Sequence, residues 1–415
     1  VVRDYQMNAV IIGAQWGDEG KGKIVDYLAD GADVVVRFSG GANAGHTIVH
    51  GGNTYKLHLV PSGILYPNCT VILGSGMVID PEALFLELDE LKSSGIDWEG
   101  RVFISERAHL VLPDYRRKDI EIDKGRRHPI GTTGRGIGVA YSMKSLRDGV
   151  RLADVYSQRA LDALHPQDAA FITSHAERLT SMSVDVTEYM SRLNTETKVL
   201  LEGAQGALLD LDLGTYPFVS SGYSSAAGAA LGAGIGPRRL DKVLGVFKAY
   251  TTRVGNGPFP SEFTSARDGH LEDYIRTVGN EYGATTGRPR RCGYLDLVAL
   301  RYAVQSNGID GLVLTHLDVY DELEEVKACV AYETEERTVE RFPASVELLQ
   351  EVRPVTRSFT GWLKPIGGIE SYDELPPEAR AYISFIEEFV GVPVDIVSVG
   401  YERKETLVRK EPWTV

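Results

Sequence analysis

Cysteine is scarce in this chain of 415 residues. The three present, Cys69, Cys292 and Cys329, are scattered and lack the spacing of metal ligands. An odd, dispersed set argues against a disulfide framework and against a zinc site, and it favours a reducing, cytoplasmic location. The chain also lacks an apolar run near the ~18–20 residues that a membrane span requires. The sequence does not begin with the basic and then apolar segment that is typical of a secretory signal. We therefore expect no membrane association.

An excess of positive charge is absent as well. There are 44 Lys and Arg residues against 58 Asp and Glu residues, which gives a net charge of −14. This balance argues against a nucleic-acid partner. No repeat and no low-complexity linker divides the chain. We expect one large domain over residues 1–415, with a helix-rich excursion at 105–195 and a peripheral subregion at 333–375.

Short apolar, β-branched runs alternate with helix-like segments along the chain, and this alternation is typical of α/β proteins. Strands are predicted at 9–12, 33–38, 70–73, 101–104, 198–201, 243–247, 311–314 and 394–399, and helices at 81–92, 294–305 and 377–390. The fold class is therefore α/β, with a large, mostly parallel central β-sheet flanked by helices. Such sheets bind ligands at the carboxyl ends of their strands.

A glycine-rich loop, residues 13–23, follows the first predicted strand and precedes a helix. Loops of this kind present backbone N–H groups to a phosphate. The stretch from Gly17 to Lys23 fits a P-loop, but Ile24 stands where a P-loop needs Ser or Thr for magnesium. Asp18 is unusual there, because a carboxylate among phosphate-binding amides needs a compensating metal or a proton-transfer role. The alternative is a plain turn with an aspartate as helix N-cap.

Five further stretches with small, polar or charged residues follow strands or lie in loops, at 39–47, 131–138, 203–206, 283–291 and 315–318. His46 is either a catalytic donor or a structural histidine. Three arginines, Arg288, Arg290 and Arg291, suit the capture of a carboxylate or phosphate. Asp318 could accept from the N1–H and amine of guanine, or could be an ordinary turn residue.

Together these residues resemble the adenylosuccinate synthetase family, whose members join IMP to L-aspartate with GTP and Mg²⁺ on the route to AMP. The resemblance runs from about Asn8 to the C-terminus and is carried by residues 15–23, 43–47, 131–138 and 284–288. It implies a P-loop-NTPase-like sheet and a cytoplasmic homodimer without nucleic-acid or membrane partners.

The resemblance also implies roles for individual residues. Asp18 would be the general base on N1–H of IMP, His46 would stabilise the transferring phosphate, and Lys21 and Gln205 would complete the catalytic set. Asp18 and the Gly45 carbonyl would hold Mg²⁺. The implied GTP-binding residues are Gly17, Glu19, Gly20, Gly45, Thr47, Arg290, His316, Asp318, Ser398, Val399 and Gly400. The implied residues for IMP and aspartate are Asn43, Ala44, Thr133, Lys144, Arg147, Ser220, Ala284, Thr285, Thr286, Gly287 and Arg288, with Arg147 acting across the dimer interface.

The chain departs from the family pattern at a few positions. His316 replaces a lysine, Ser220 replaces a threonine, and Val139 and Tyr401 replace prolines. These changes leave open a paralogous ligase that acts on another purine nucleotide or amine donor. A GTP-binding regulatory protein is a further alternative, although Ile24 and the arginine-rich loop, residues 283–291, argue against it.

Overall fold

The computed structural model describes residues 6–50, 52–126, 129–282 and 289–413. Within these ranges the central element is an 11-stranded sheet. The strands are β1 Met7–Gly13, β2 Val34–Gly40, β3 His46–His50, β4 Asn53–Leu57, β5 Thr70–Ile79, β6 Val102–Ser105, β7 His109–Leu110, β8 Ser183–Val184, β9 Lys198–Gly206, β10 Lys242–Lys248, β11 Thr251–Arg253, β12 Arg291–Gly293, β13 Leu295–Asp296, β14 Gly311–Thr315, β15 Glu325–Glu333, β16 Thr338–Val339, β17 Arg353–Thr360, β18 Val394–Ser398 and β19 Thr406–Val408.

Helices cover the sheet and fill the long connections. They are α1 Lys21–Ala29, α2 Pro81–Ser93, α3 Pro113–Gly125, α4 Ile137–Leu146, α5 Gln158–Asp162, α6 Pro166–Ser181, α7 Val186–Ser191, α8 Ala226–Gly232, α9 Ser265–Val278, α10 Leu297–Asn307, α11 Val346–Glu351 and α12 Pro377–Val390. None of those in the described ranges is long and apolar enough to cross a membrane.

The central sheet has the order β19-β18-β14-β10-β1-β9-β2-β5-β6-β8, with β7 also paired to β5. All of its described pairings are parallel except that of β18 with the edge strand β19. The predicted α/β fold with a mostly parallel sheet is thus confirmed. Because the strands run the same way, the loops after β1, β2, β9, β10, β14 and β18 meet at one edge.

Two hydrophobic cores lie on opposite faces of this sheet. In β1, Val10 and Ile12 belong to one core, and Ala9 and Ile11 belong to the other. Alternate side chains of a strand point to opposite faces, so a strand buried on both faces is a continuous apolar run. This is why the apolar runs in the sequence located the central strands correctly.

The eight predicted strands are all present, whereas one predicted helix begins later than expected. The segment predicted as helix from Tyr294 starts at Leu297, because the side chain of Asp296 accepts a hydrogen bond from the N–H of Ala299 and caps the helix. Residues 105–195 contain α3 to α7. In the stretch 333–375, β16 and β17 pair with β15 in a small separate sheet.

Candidate active site

A cleft of about 1290 Å³ lies at the carboxyl edge of the central sheet. It is lined by residues from most of the loops singled out in the sequence, namely 16–23, 43–45, 47, 131–133, 138, 205, 220–221, 290, 315–316, 318, 398 and 400. The parallel topology therefore brings stretches separated by hundreds of residues into one site.

The glycine-rich loop leads from β1 into α1 with three residues in the left-handed region. Their φ angles are 86° at Gly17, 58° at Asp18 and 81° at Gly20. Gly20 is the N-cap of α1 and offers no side-chain cap. The alternative in which Asp18 caps the helix is therefore wrong. The first N–H groups of α1 remain available for an anion, and the helix dipole favours one there.

Glu19 fixes the shape of this loop from the side that faces the protein interior. Its buried carboxylate accepts from the N–H groups of Gly17 at 2.8 Å and Gln15 at 3.2 Å, and pairs with Lys21 Nζ at 2.5 Å. A Cβ at Gly13 would lie 2.4 Å from this carboxylate, so any larger residue there would displace Glu19 from its present contacts. The side chain of Glu19 faces the protein, and its backbone carbonyl accepts from Thr315 Oγ1 at 2.6 Å.

Asp18 is the one residue of the loop that presents a carboxylate to the cleft among the described residues 16–23. Its side chain is 42% exposed, and Oδ2 lies 2.9 Å from Nε of Arg290. Gly45, at the start of the hairpin β3–β4, is exposed and lines the same cleft. The side chain of His46 and the predicted residues Ala284, Thr285, Thr286, Gly287 and Arg288 lie outside the described part of the structure.

Lys23 joins α1 to the segment after β18. Its Nζ donates to Ser398 Oγ at 2.8 Å, the Gly400 carbonyl at 2.7 Å and the Glu405 carbonyl at 3.0 Å. Burial lowers the pKa of Lys23 to about 8, although the charges of Glu405 and Asp318 oppose this shift. Burial raises the pKa of Asp318 in the same subsite. Lys23 was part of a recognised motif, but its role in fixing the opposite wall was not predicted.

His316 introduces no positive charge where the family has lysine. It has a φ of 57° and its ring stands edge-on to Tyr250 at 5.9 Å between centroids. Burial lowers the pKa of His316 to about 3, and the Lys248 ammonium adds to this effect. The ring is therefore neutral at physiological pH.

The loop 130–136 is held by two aspartates of α3. Asp123 accepts from the N–H groups of Ile130, Gly131 and Thr132 at 3.0, 3.1 and 3.1 Å, and Asp119 accepts from Thr132 Oγ1 at 2.9 Å. The three N–H groups outweigh burial and lower the pKa of Asp123. These three amides are thus already engaged within the chain.

Of the predicted residues that the structure describes, three do not line the cleft. Lys144 and Arg147 lie at the C-terminal end of α4, where Lys144 Nζ is 3.5 Å from the Ser75 carbonyl and Arg147 is the exposed C-cap. The side chain of Val399 is wholly buried in the core. In contrast, Asn43, Ala44, Thr47, Thr133, Gln205 and Ser220 all line the cleft as predicted.

Arg253 and Lys248 also line the cleft and were not predicted. Arg253 donates to Thr215 Oγ1 and to the carbonyls of Pro258 and Phe218, each at 3.0 Å. Burial lowers the pKa of Arg253 to about 9. Lys248 directly follows the predicted strand 243–247, so the rule that functional groups follow parallel strands could have identified it.

The adenylosuccinate synthetase family model matches residues 10–407. The adenylosuccinate synthetase of Moorella thermoacetica is 47% identical, over 97% of this chain and 99% of the relative. That of Caldanaerobacter subterraneus is 46% identical, over 96% of this chain and 98% of the relative.

Two solved structures share the fold. The fully ligated adenylosuccinate synthetase from Plasmodium falciparum is 39% identical and superposes with a TM-score of 0.89, covering 97% of this chain and 99% of that one. The cyanophage S-2L succinoaminodeoxyadenylate synthetase, bound to dGMP and dATP, is 20% identical with a TM-score of 0.64, covering 98% and 97%. This second likeness concerns the fold alone. The chain belongs to the adenylosuccinate synthetase family, the ligases that use GTP to join IMP and L-aspartate.

Proposed function

We propose that this chain makes adenylosuccinate from IMP, L-aspartate and GTP in the cleft described above, with Asp18 as the general base. The observation that carries the proposal is the position of Asp18. Its carboxylate enters the cleft from a loop whose neighbouring backbone N–H groups and helix N-terminus suit phosphate. A carboxylate placed beside phosphate is unfavourable unless it accepts a proton or binds a metal.

In the first step Asp18 takes the proton from N1 of IMP, and the 6-oxygen then attacks the γ-phosphorus of GTP. The bond to the β–γ bridging oxygen breaks and GDP leaves. In the second step the amine of aspartate attacks C6, the C–O bond breaks, and phosphate leaves with its oxygen. Phosphoryl transfer depends mainly on positioning and charge stabilisation. The N-terminus of α1, Lys21, Arg290 and the imidazole of His46 are assigned to that task.

The oxygen donors in the cleft fit Mg²⁺. The carboxylate of Asp18 is partly exposed in the cleft, where its Oδ2 faces Arg290, and the exposed Gly45 lines the same cleft. The described residues contain no cluster of three or more His, Cys, Asp or Glu that could hold a metal. This agrees with an ion bound by one or two protein oxygens and by substrate phosphates. When bound, Mg²⁺ would neutralise charge on the triphosphate.

The wall formed by Asp318, Ser398 and Gly400 is assigned to the guanine base. The pairing of Lys23 with Ser398 and Gly400 supports this, because it fixes that wall against the helix that follows the phosphate loop. Asn43, Thr133, Gln205 and Ser220 are assigned to IMP, and residues 284–288 to aspartate, on the resemblance to the family.

A homodimer completes the proposal, with Arg147 reaching the IMP of the partner subunit. Arg147 is exposed outside the cleft of its own chain, and the neighbouring Leu146 is 64% exposed. An exposed leucine beside an exposed arginine suits a protein interface. The three buried free cysteines support the proposed cytoplasmic location.

Product formation with purified protein tests this function. With GTP, Mg²⁺, IMP and aspartate, we expect adenylosuccinate, GDP and phosphate in equal amounts. In separate assays dGMP then replaces IMP, dATP replaces GTP, and other amino acids replace aspartate. Turnover only with a substituted nucleotide or amine would refute the proposal and favour the paralogous ligase. GTP hydrolysis without IMP would favour the regulatory protein.

A further inference from the structure

Glu281 is a fully buried carboxylate at the entrance to the arginine-rich loop. Oε1 accepts from Lys248 Nζ at 2.5 Å and from the Tyr250 hydroxyl at 2.6 Å, and Oε2 accepts from NH1 of Arg290 at 2.8 Å. The side-chain exposure of Glu281 is 0% and that of Lys248 is 1%. Burying a carboxylate costs desolvation free energy unless the charge is fully paired, so Glu281 needs these three partners.

The same residue closes the base of the loop through its backbone. Its carbonyl accepts from the N–H of Arg290 at 2.9 Å, and Tyr282 pairs with Pro289 just beyond. Glu281 therefore fixes both the main chain and one nitrogen of the guanidinium of Arg290. A guanidinium is planar and rigid, so fixing NH1 and the main chain also determines where Nε points.

Nε of Arg290 lies beside the carboxylate of Asp18. The two groups form an ion pair at 2.9 Å, but Nε has no aligned hydrogen-bond partner among the described residues. The side chain of Arg290 is 19% exposed and lines the cleft. Arg290 is thus firmly held on the side of Glu281 and loosely held on the side of the substrates.

We propose that Glu281 is a positioning residue, which holds Arg290 at the distance from Asp18 and the substrates that catalysis needs. Lys248 and Tyr250, at and just beyond the end of β10, anchor Glu281 to the central sheet. The chain of contacts runs from the rigid sheet to Glu281, then to Arg290, and then to Asp18. The inference rests on the proposed roles of Arg290 and Asp18.

The charge state of Glu281 agrees with this assignment. Burial would raise the pKa of Glu281, but the Lys248 ammonium and the hydrogen bonds from Lys248 and Tyr250 act together against burial, and the pKa is lowered to about 2. The carboxylate therefore stays ionised, and it stays an acceptor for all three partners, throughout the range in which an enzyme works.

A double-mutant cycle between Glu281 and Arg290 tests the inference. E281Q keeps the volume and removes the charge. We expect kcat to fall about 10–100-fold, as for a displaced catalytic group, while the KM for IMP stays within threefold. In the background of R290A, the same E281Q change is expected to lower kcat less than twofold further. Two mutations that act through one contact are not additive.

Glu262 provides a matched control. It pairs with the next arginine, Arg291, on which Nε lies 2.6 Å from Oε1, and both side chains are 33% exposed. E262Q removes a carboxylate from an arginine of the same loop without touching Arg290. We expect its kcat to stay within about threefold of the wild type.

Y250F serves if E281Q does not fold, as judged by circular dichroism and thermal melting. It removes one donor to Glu281 and leaves both ion pairs intact. We expect a smaller loss of kcat, about 2–5-fold from one hydrogen bond, which again disappears in R290A. Full additivity with R290A, or kcat near the wild type in E281Q, would overturn the inference. If the wild type makes no adenylosuccinate, the proposed function itself fails and the inference falls with it.

Discussion

Replacement of Lys23 by methionine tests how the nucleotide subsite is held together. The change keeps most of the aliphatic stem and removes the ammonium that donates to Ser398 Oγ and to the carbonyls of Gly400 and Glu405. Ser398 is the last residue of β18, and Gly400 and Glu405 belong to the segment that follows it. Ser398 and Gly400 line the cleft with Asp318. Without Lys23, that segment loses its attachment to α1.

The magnitude follows from the balance between these bonds and the burial of the charge. A hydrogen bond from a charged donor contributes about 1.5–3 kcal/mol. Part of the gain from three such bonds is offset by desolvation, which lowers the pKa of Lys23 to about 8. We expect a net loss of about 2–3 kcal/mol at the GTP subsite, which corresponds to about a 30–150-fold rise in the KM for GTP.

Initial rates at varied GTP, with IMP and aspartate saturating, measure this effect. We expect the KM for IMP to change less than about threefold, because Lys23 contacts the GTP wall and not the IMP residues. Lys410 is the control, since it lies further along the same C-terminal segment, is exposed and does not line the cleft. An unchanged KM for GTP in K23M, or an equal rise in K410M, would refute the reasoning.

The pH dependence of the same variant gives a second test. The folded pKa of Lys23, about 8, is below its ordinary value of 10.5. The unfolded chain therefore binds more protons between these values, and this group makes the free energy of unfolding rise with pH there. Over the same pH range the ammonium of Lys23 in the wild type loses one of its three donated hydrogens. The KM of the wild type for GTP should therefore rise. K23M should lack both effects.

Four further changes have defined outcomes. D18N and H46A should each lower kcat about 10²–10⁴-fold with the fold retained, and activity within tenfold of the wild type in steady-state assays would contradict the assigned roles. G13A should destabilise the protein by about 1–3 kcal/mol in urea unfolding, because its Cβ would lie 2.4 Å from the Glu19 carboxylate; unchanged stability would refute that steric argument. Burial raises the pKa of Asp296 in the folded protein to about 6. The stabilisation that comes from the protonated carboxyl of Asp296 is therefore complete below about pH 4 and is lost as the pH rises through 6. D296N should therefore lack this decline in unfolding experiments between pH 4 and 7, and a decline equal to that of the wild type would contradict the shift.

The parts of the fold that were predictable are those set by short-range pattern. The buried parallel strands are continuous apolar runs, so 9–12 and 311–314 are recognisable without any partner. The start of α10 was missed because Asp296 caps the helix, and the aromatic and apolar residues before it do not differ visibly from helical sequence. Strand β17 is half-exposed and polar, and only its pairing with β15 identifies it.

The site was predictable in its members but not in its pairings. The sequence shows that Asp18, Glu19, Lys21 and Lys23 share one loop and helix start, yet the carboxylate of Glu19 is buried in an ion pair with Lys21. Whether a carboxylate faces the cleft depends on backbone angles such as the positive φ of Asp18. Those angles depend in turn on glycines and on contacts with strands distant in sequence.

The net charge of −14 shows why the pairings matter more than the composition. Several cations around the cleft have carboxylate partners: Lys21 pairs with Glu19, Lys248 with Glu281, and Arg290 with both Glu281 and Asp18. Paired cations attract an anionic substrate less strongly than free cations do, so these ion pairs lower the affinity of the site for its substrates. What they gain is a fixed direction, since each guanidinium or ammonium is already oriented before a phosphate arrives. Because phosphoryl transfer is accelerated by donors that need no reorganisation, such an arrangement favours turnover over tight binding.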